Sequence, residues 1–300
     1  MRILVTGGTG FVGSNIALAL QDAGHEVIIT GSPHEQKLPE FKGKIFYTGI
    51  LGVDMEEVGP IDALLHQGAI SDTRVYDRNE MMRANLETSK VLFEYAATHG
   101  CKYITYASST AVYGNLPAPY REDGPVAPLN PYGESKALLD EYATQFSKGH
   151  PSIRVVGLRY CNVYGPREGH KGTTSTMIYQ FAAQMKKGNP RLFKYGEQKR
   201  DYIYVKDVVR ANMLTLTPGE STIVNCGSGK ATSFNDLVKI LNEVLGTTRE
   251  PEYIDNPYGA EYQSYTECDM SLAREKLDFV PEYDITRGIK DYFASGFLVK

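Results

Sequence analysis

Short β-branched apolar runs alternate along the first half of the chain with longer segments in which apolar residues recur every three to four positions. Period two giving way to period 3.6 predicts strands joined by helices. Strands are expected at 3–5, 26–29, 45–47, 63–66, 103–106 and 153–158. Helices are expected at 15–23, 81–98 and 132–146, the first two ended by Gly24 and Gly100. A stretch with five prolines, 117–131, interrupts the rhythm as a loop. Regular βα alternation implies an α/β architecture with a doubly wound parallel sheet covered on both faces.

Beyond Asn162 the rhythm changes. A polar, glycine-rich loop at 165–176 precedes a helix at 176–187 and strand character at 191–205. An amphipathic helix at 233–245, capped by Thr232 or Ser233, and a final helix near 285–293 follow. The expected organisation is a larger domain at 1–161 with roughly 197–221, and a smaller C-terminal α/β lobe from 162–196 and 222–300.

Composition contributes mainly exclusions. Of 300 residues 42% are hydrophobic, enough for a full core, and a formal net charge of −4 gives no electrostatic basis for binding nucleic acid or an anionic membrane. Cys101, Cys161, Cys226 and Cys268 form no CxxC pair and fit no zinc spacing, so no metal is expected and the thiols read as buried or half-buried in a reducing compartment. No run approaches the roughly 18 apolar residues of a membrane span. Met1-Arg2 leads straight into Ile3, leaving no room for a signal peptide, and the cytoplasm is the expected location. The apolar positions of 81–98 serve the core or a subunit contact, and a homo-oligomer is the expected assembly.

Thr6-Gly7-Gly8-Thr9-Gly10-Phe11-Val12-Gly13 lies between the first strand and the first helix. Gly7, Gly10 and Gly13 let the backbone turn tightly and approach a pyrophosphate, while the helix opening at Phe11 and Val12 offers free N–H groups and a positive dipole end. This is the expected NAD(P) site of a Rossmann-type fold. The second strand ends Thr30-Gly31-Ser32, without the carboxylate that usually holds the adenosine ribose of NAD. Its absence removes repulsion toward a 2′-phosphate. Thr30 and Ser32 offer hydrogen bonds and Lys37 or His34 a charge, so NADP is expected ahead of NAD.

Tyr132-Gly133-Glu134-Ser135-Lys136 puts a tyrosine and a lysine on one helix face. A free tyrosine, with a pKa of about 10, is a poor base at neutral pH. A nearby ammonium and an oxidised nicotinamide both favour phenolate. Lys136 is also positioned to reach the nicotinamide ribose. Ser109 follows a strand whose carboxyl end faces the ligand crevice, where its hydroxyl can bond an oxygen passing between alcohol and ketone.

Together TGGTGFVG, SSTAVYG and YGESK resemble the extended short-chain dehydrogenase/reductases, the nucleotide-sugar epimerases and dehydratases, over essentially the whole chain. The resemblance implies that Ser109 orients substrate, Tyr132 is the acid/base and Lys136 tunes it. It also implies that Gln67, Gly68, Ala69, Asn85 and Val163 line the cofactor cleft. RYCNVYGPREGHKG from Arg159, KRDY from Lys199 and YQSYT from Tyr262 are similar to the branch acting at C6 of ADP-glycero-manno-heptose. That likeness implies a second acid/base at Lys171 and a sugar-nucleotide site lined by Asn162, Thr173, Gln180, Phe193, Arg200 and Tyr262, with Arg200 on the diphosphate. Lys194-Tyr195-Gly196 departs from that branch, which carries an acidic residue, glycine and serine there.

The implied activity is epimerisation of a nucleotide sugar by transient hydride transfer to the nicotinamide cofactor. A UDP-hexose 4-epimerase is the alternative, with no need for Lys171. A dehydratase would carry an Asp-Glu pair where Thr110 and Ala111 stand. A non-catalytic cofactor-binding relative would be expected to have lost one of Ser109, Tyr132 and Lys136.

Overall fold

The structure is a computed structural model and describes residues 1–35, 37–47, 55–72, 75, 77–257 and 263–299. Seven parallel strands form the main sheet in the spatial order β10-β6-β5-β4-β1-β2-β3. They are β1 (Arg2–Thr6), β2 (Glu26–Thr30), β3 (Lys44–Phe46), β4 (Ala63–His66), β5 (Tyr103–Ser109), β6 (Arg154–Tyr160) and β10 (Thr222–Cys226). The direction of winding reverses between β1 and β4, which opens a crevice beyond their carboxyl ends.

Successive strand residues point to opposite faces, and the core divides accordingly. Ile3, Val5, Val27 and Ile29 pack with Ile16 and Leu20 of the helix Phe11–Asp22. Leu4, Ile28, Leu64 and Ile104 pack with Leu92 and Phe93 of the helix Thr88–Thr98 and Leu139 of the helix Pro131–Gly149. All of β6 is buried, as expected for a strand covered on both sides.

The smaller lobe carries β7 (Asn162–Tyr164), β9 (Lys199–Tyr204) and β11 (Ala231–Ser233) in one sheet, ordered β11-β9-β7. A separate pair joins β8 (Arg191–Phe193) to β12 (Glu252–Ile254). Its core sets Phe181 edge-on to Phe234, with Leu237, Leu241, Ile289 and Tyr292 around them. Ser233 caps its helix by accepting from the Asp236 N–H at 3.0 Å. Phe11, from the glycine turn of the main unit, belongs to this lobe's cluster and ties the two together.

Two local differences from the sequence reading have physical causes. The helix expected at 81–98 starts at Arg78, where Asp77 accepts from the Glu80 N–H, and it contains a π turn at Arg83–Glu87. That turn lets Asn85 face inward with both its amide atoms engaged. The segment from 222 onward was expected to enter the lobe, yet Thr222–Cys226 extends the main sheet beside β6. Its short apolar run covers an otherwise open edge. Among the described residues no helix is long and apolar enough to cross a membrane.

Candidate active site

The glycine turn fits a pyrophosphate backbone. Gly7 has a φ of +64°, and a Cβ on it would lie 2.7 Å from the Gly68 Cα, where no side chain fits. A Cβ on Gly13 would collide with the Gly7 carbonyl oxygen. Gly8 N–H donates to Thr30 O at 2.7 Å and Gly10 N–H to Gly7 O at 3.0 Å, fixing the turn. On its far side Thr6 Oγ1 accepts from the Gly68 N–H at 3.1 Å.

A cleft of about 530 Å³ opens from this turn. Gly7, Gly10, Phe11, Val12, Gly13, Gln67, Gly68, Ala69, Ser109, Tyr132, Lys136, Asn162, Val163 and Lys171 all line it. Fourteen candidates read from separate stretches of sequence thus converge on one cavity. The hydroxyl of Ser108, also in the wall, is buried without a hydrogen-bond partner in the described structure. Glycines that admit no side chain and an orphaned hydroxyl in the wall of the cleft fit a dinucleotide.

The Asn130-Pro131 step sets the catalytic helix. Asn130 accepts from the Gly133 N–H at 2.9 Å, and Pro131 occupies the first turn, where its missing N–H costs nothing. Tyr132 therefore lies at the helix mouth and Lys136 one turn on. Lys136 is buried, donates to Ala107 O at 2.7 Å, and lies 5.8 Å from the Tyr132 ring centroid. Burial lowers the Lys136 ammonium to about 8, against the pull of Asp140. The Tyr132 phenol is pushed up by burial, and a hydrogen bond with Ser109 works in the opposite direction. Protein charge alone does not make Tyr132 a base, so the positive nicotinamide expected from the sequence remains necessary.

Lys171 reaches the cleft from a 3₁₀ segment, Gly169–Thr174, with its ammonium 6.0 Å from the Phe11 ring centroid. Burial lowers its pKa against the pull of Glu168 and Asp72. Glu168, fully buried, anchors this loop: its carboxylate accepts from Thr176 N–H at 2.7 Å, Gly165 N–H at 3.2 Å and the Thr176 hydroxyl at 3.1 Å. Its own carbonyl accepts from the Lys171 N–H at 3.0 Å. Burial raises its carboxyl to about 7. Sequence reasoning passed over Glu168, because a buried acid serving a loop has no signature distinct from a solvated one.

Other candidates lie back from the cavity. Asn85 is a strut: its side chain accepts from Ile70 N–H at 2.8 Å and donates to Ile70 O at 2.9 Å, holding the segment after Gln67-Gly68-Ala69. Gln180 donates to Thr173 O and Ser175 O within its own loop, and Thr174 and Thr176 line the cleft where Thr173 does not. Phe193 ends β8, and Arg200 on β9 lies 5.9 Å from the Phe234 ring centroid, both outside the cavity wall. Tyr262 lies outside the described residues.

The basis of the NADP expectation is corrected here. Thr30 is buried in the sheet, Ser32 accepts from the His34 N–H, Lys37 is exposed, and none of them lines the cleft. Glu35 does line it, its carboxylate accepting from the Thr9 hydroxyl. A carboxylate absent from the strand end thus stands in the following loop, five residues after Thr30. Nothing in strand patterning marks such a substitution, since it depends on how the loop folds back.

The comparisons with known proteins agree with this geometry. Residues 3–227 match the model of the NAD dependent epimerase/dehydratase family. The chain is 36% identical to an ADP-L-glycero-D-manno-heptose-6-epimerase of Alkalilimnicola ehrlichii, over 97% of this chain and 96% of that one. The crystal structure of the Helicobacter pylori ADP-L-glycero-D-manno-heptose-6-epimerase superposes with a TM-score of 0.89 at 36% identity, covering 98% and 95% of the two chains. A UDP-glucose 4-epimerase of Thermus thermophilus in complex with NAD superposes at 0.85 with 28% identity, covering 98% and 99%. With its parallel sheet, glycine turn and Tyr132–Lys136 pair in one cleft, the chain belongs to the NAD dependent epimerase/dehydratase family.

Proposed function

We propose that the protein is an NAD-dependent nucleotide-sugar epimerase acting on the C6 carbinol of an ADP-linked glycero-manno-heptose. The reading is carried by the meeting of Ser109, Tyr132, Lys136 and Lys171 around the cleft that also holds the glycine turn. When bound, NAD+ supplies a reversible hydride acceptor and a positive charge beside the phenol. Tyr132 takes the hydroxyl proton in one sugar pose, while Ser109 holds the same oxygen. Lys136 keeps positive charge under the phenol. Once the carbon is flat, the sugar presents its other face, and Lys171 handles the proton in that second pose. Its lowered pKa makes it a better acid near neutrality. In this reading the main sheet holds the cofactor and the lobe holds the sugar nucleotide, with Arg200 toward the diphosphate.

The test is Lys171→Ala assayed by NMR of product stereochemistry. Epimerisation should fall by roughly 10²–10⁴ in kcat, leaving cofactor reduction without inversion. Near-normal turnover would remove Lys171 from the chemistry and favour UDP-hexose 4-epimerisation, the second reading, which likeness to the Thermus enzyme supports.

Glu35 supports NAD as the preferred cofactor. A carboxylate beside Thr9 and Gly10 accepts from ribose hydroxyls and repels a 2′-phosphate. Calorimetry should find NAD bound about tenfold or more tightly over NADP, roughly 1.4 kcal/mol, with Glu35→Ala narrowing the ratio. Tighter NADP binding by the unmodified protein would overturn this. The reading extends to a cytoplasmic location and a homo-oligomer, the latter open to light scattering.

A further inference from the structure

Cys161 follows β6 and lines the cleft, between Tyr160 and Asn162, which line it too. Cys268 lies in the segment beside β9, 107 residues further on, and the two sulfurs are 2.6 Å apart. The backbone fixes both partners. Cys161 N–H donates to Cys226 O at 3.0 Å, and the Cys268 N–H donates to Asp201 Oδ2 at 3.1 Å. On either side of Cys268, Tyr120 N–H donates to Glu267 O and Asp269 N–H donates to Tyr120 O. Asp201, buried beside the pair, also accepts from Ser228 N–H, the Ser228 hydroxyl and Gly229 N–H. Its oxygens are therefore engaged, which leaves the two sulfurs as the reactive groups.

We infer that Cys161 and Cys268 are a dithiol that a small hydroperoxide converts to a disulfide, fastening the end of β6 to the substrate-lobe segment beside β9. The reaction balances within the pair. Cys161, as thiolate, displaces hydroxide from hydrogen peroxide and becomes a sulfenic acid. Cys268 sulfur attacks that sulfur, and the sulfenic oxygen leaves as water with the Cys268 proton. Peroxide gains two electrons and the dithiol loses two. Cys161 reacts first because the cleft reaches it and hydrogen bonds from Cys268, Thr110 and the Asn162 N–H oppose the burial that raises both thiols.

The link would bear on the site through Asn162. Its amide donates to Asp201 O at 2.9 Å and lies 3.4 Å from Thr266 Oγ1, so it already spans the elements the disulfide would join. Drawing Cys161 toward Cys268 displaces the adjacent Asn162, which on the proposed function touches the sugar.

The experiment treats the full chain with hydrogen peroxide, alkylates it after unfolding, and maps peptides by mass. The expected result is a Cys161–Cys268 linked pair with Cys101 and Cys226 still alkylated. Epimerisation should fall at least about threefold and return with dithiothreitol, whereas Cys268→Ser should form no link and leave Cys161 as a sulfenic acid that dimedone labels. Four alkylated thiols, a Cys161–Cys226 link, or a correct link with unchanged turnover would each overturn the inference. The mass readout is independent of the reaction, so a protein that cross-links but never epimerises any nucleotide sugar would fault the functional reading and leave the dithiol standing.

Discussion

On the sheet side of the cleft, Ser109 ends a strand and Tyr132 and Lys136 open a helix; on the lobe side, Lys171, Thr174 and Thr176 come from a loop held together by Glu168. The first group inherits its geometry from the main sheet, whose inner strands β4 and β6 are buried throughout. The second depends on hydrogen bonds inside one loop, and Gly172 within it has a φ of +55°. Chemistry common to a family can rest on the rigid wall, while the wall that discriminates among sugars is built from parts that can be exchanged without disturbing the core.

The largest way to test this contrast is on the rigid side. Tyr132→Phe keeps the ring and its packing and removes the proton carrier, so kcat should fall by roughly 10²–10⁴. Tyr132 was also expected to contact the cofactor, and calorimetric NAD affinity should stay within about twofold, because the ring in the cleft wall is kept and only its hydroxyl is lost. A kcat within a few-fold of the parent would shift the acid/base role to the lobe and invert the comparison.

A smaller effect is expected from the strut behind the floor. Asn85→Ala removes both hydrogen bonds to Ile70. At about 1 kcal/mol each, stability should drop by about 2 kcal/mol, and NAD affinity should weaken as the floor of the cleft loosens, with kcat at saturating NAD nearly retained. Unchanged affinity in a less stable variant would make Asn85 purely structural.

The smallest effect concerns the anchor of the loop side and is read as a pH slope. The carboxyl of Glu168 is raised to about 7 in the folded protein, above its value in the unfolded chain. The folded state thus binds more protons between those two values, and stability falls as pH rises through that window. The stabilisation is fully present below the unfolded pKa and lost above about 7, on the order of 3 kcal/mol in all. Glu168→Gln should flatten this part of the profile in urea titrations from pH 4 to 8. An unaltered slope would show that another group carries it.

The sequence made the rigid side legible because each of its parts is local. The Gly7–Gly13 turn, the Ser109 turn and the Tyr132–Lys136 spacing each occupy a single strand-turn-helix unit, and periodicity located those units to within a few residues. Glu35, Glu168 and the Cys161–Cys268 contact were not legible, for three separate reasons. Glu35 acts only because its loop folds back onto Thr9. Glu168 acts because burial, which sequence does not display for an acid in a polar loop, turns it into an anchor. The cysteines meet across 107 residues that contain most of the lobe. Arg200 and Phe193 came from family resemblance alone, because no local pattern around them marks a ligand.

The position of β10 has a consequence for how the chain matures. Its neighbour β6 is complete at Tyr160, but the strand that covers it arrives only at Thr222, after 61 intervening residues that build much of the lobe. During synthesis β6 is therefore an apolar sheet edge waiting for a distant partner, the kind of surface that invites pairing with another chain. Arg154 guards one end of it, contacting the Glu220, Thr217 and Thr215 carbonyls only after they emerge. A ribosome-bound fragment ending near 215 should consequently be the most aggregation-prone intermediate of the molecule, and one ending past 227 should have its edge closed.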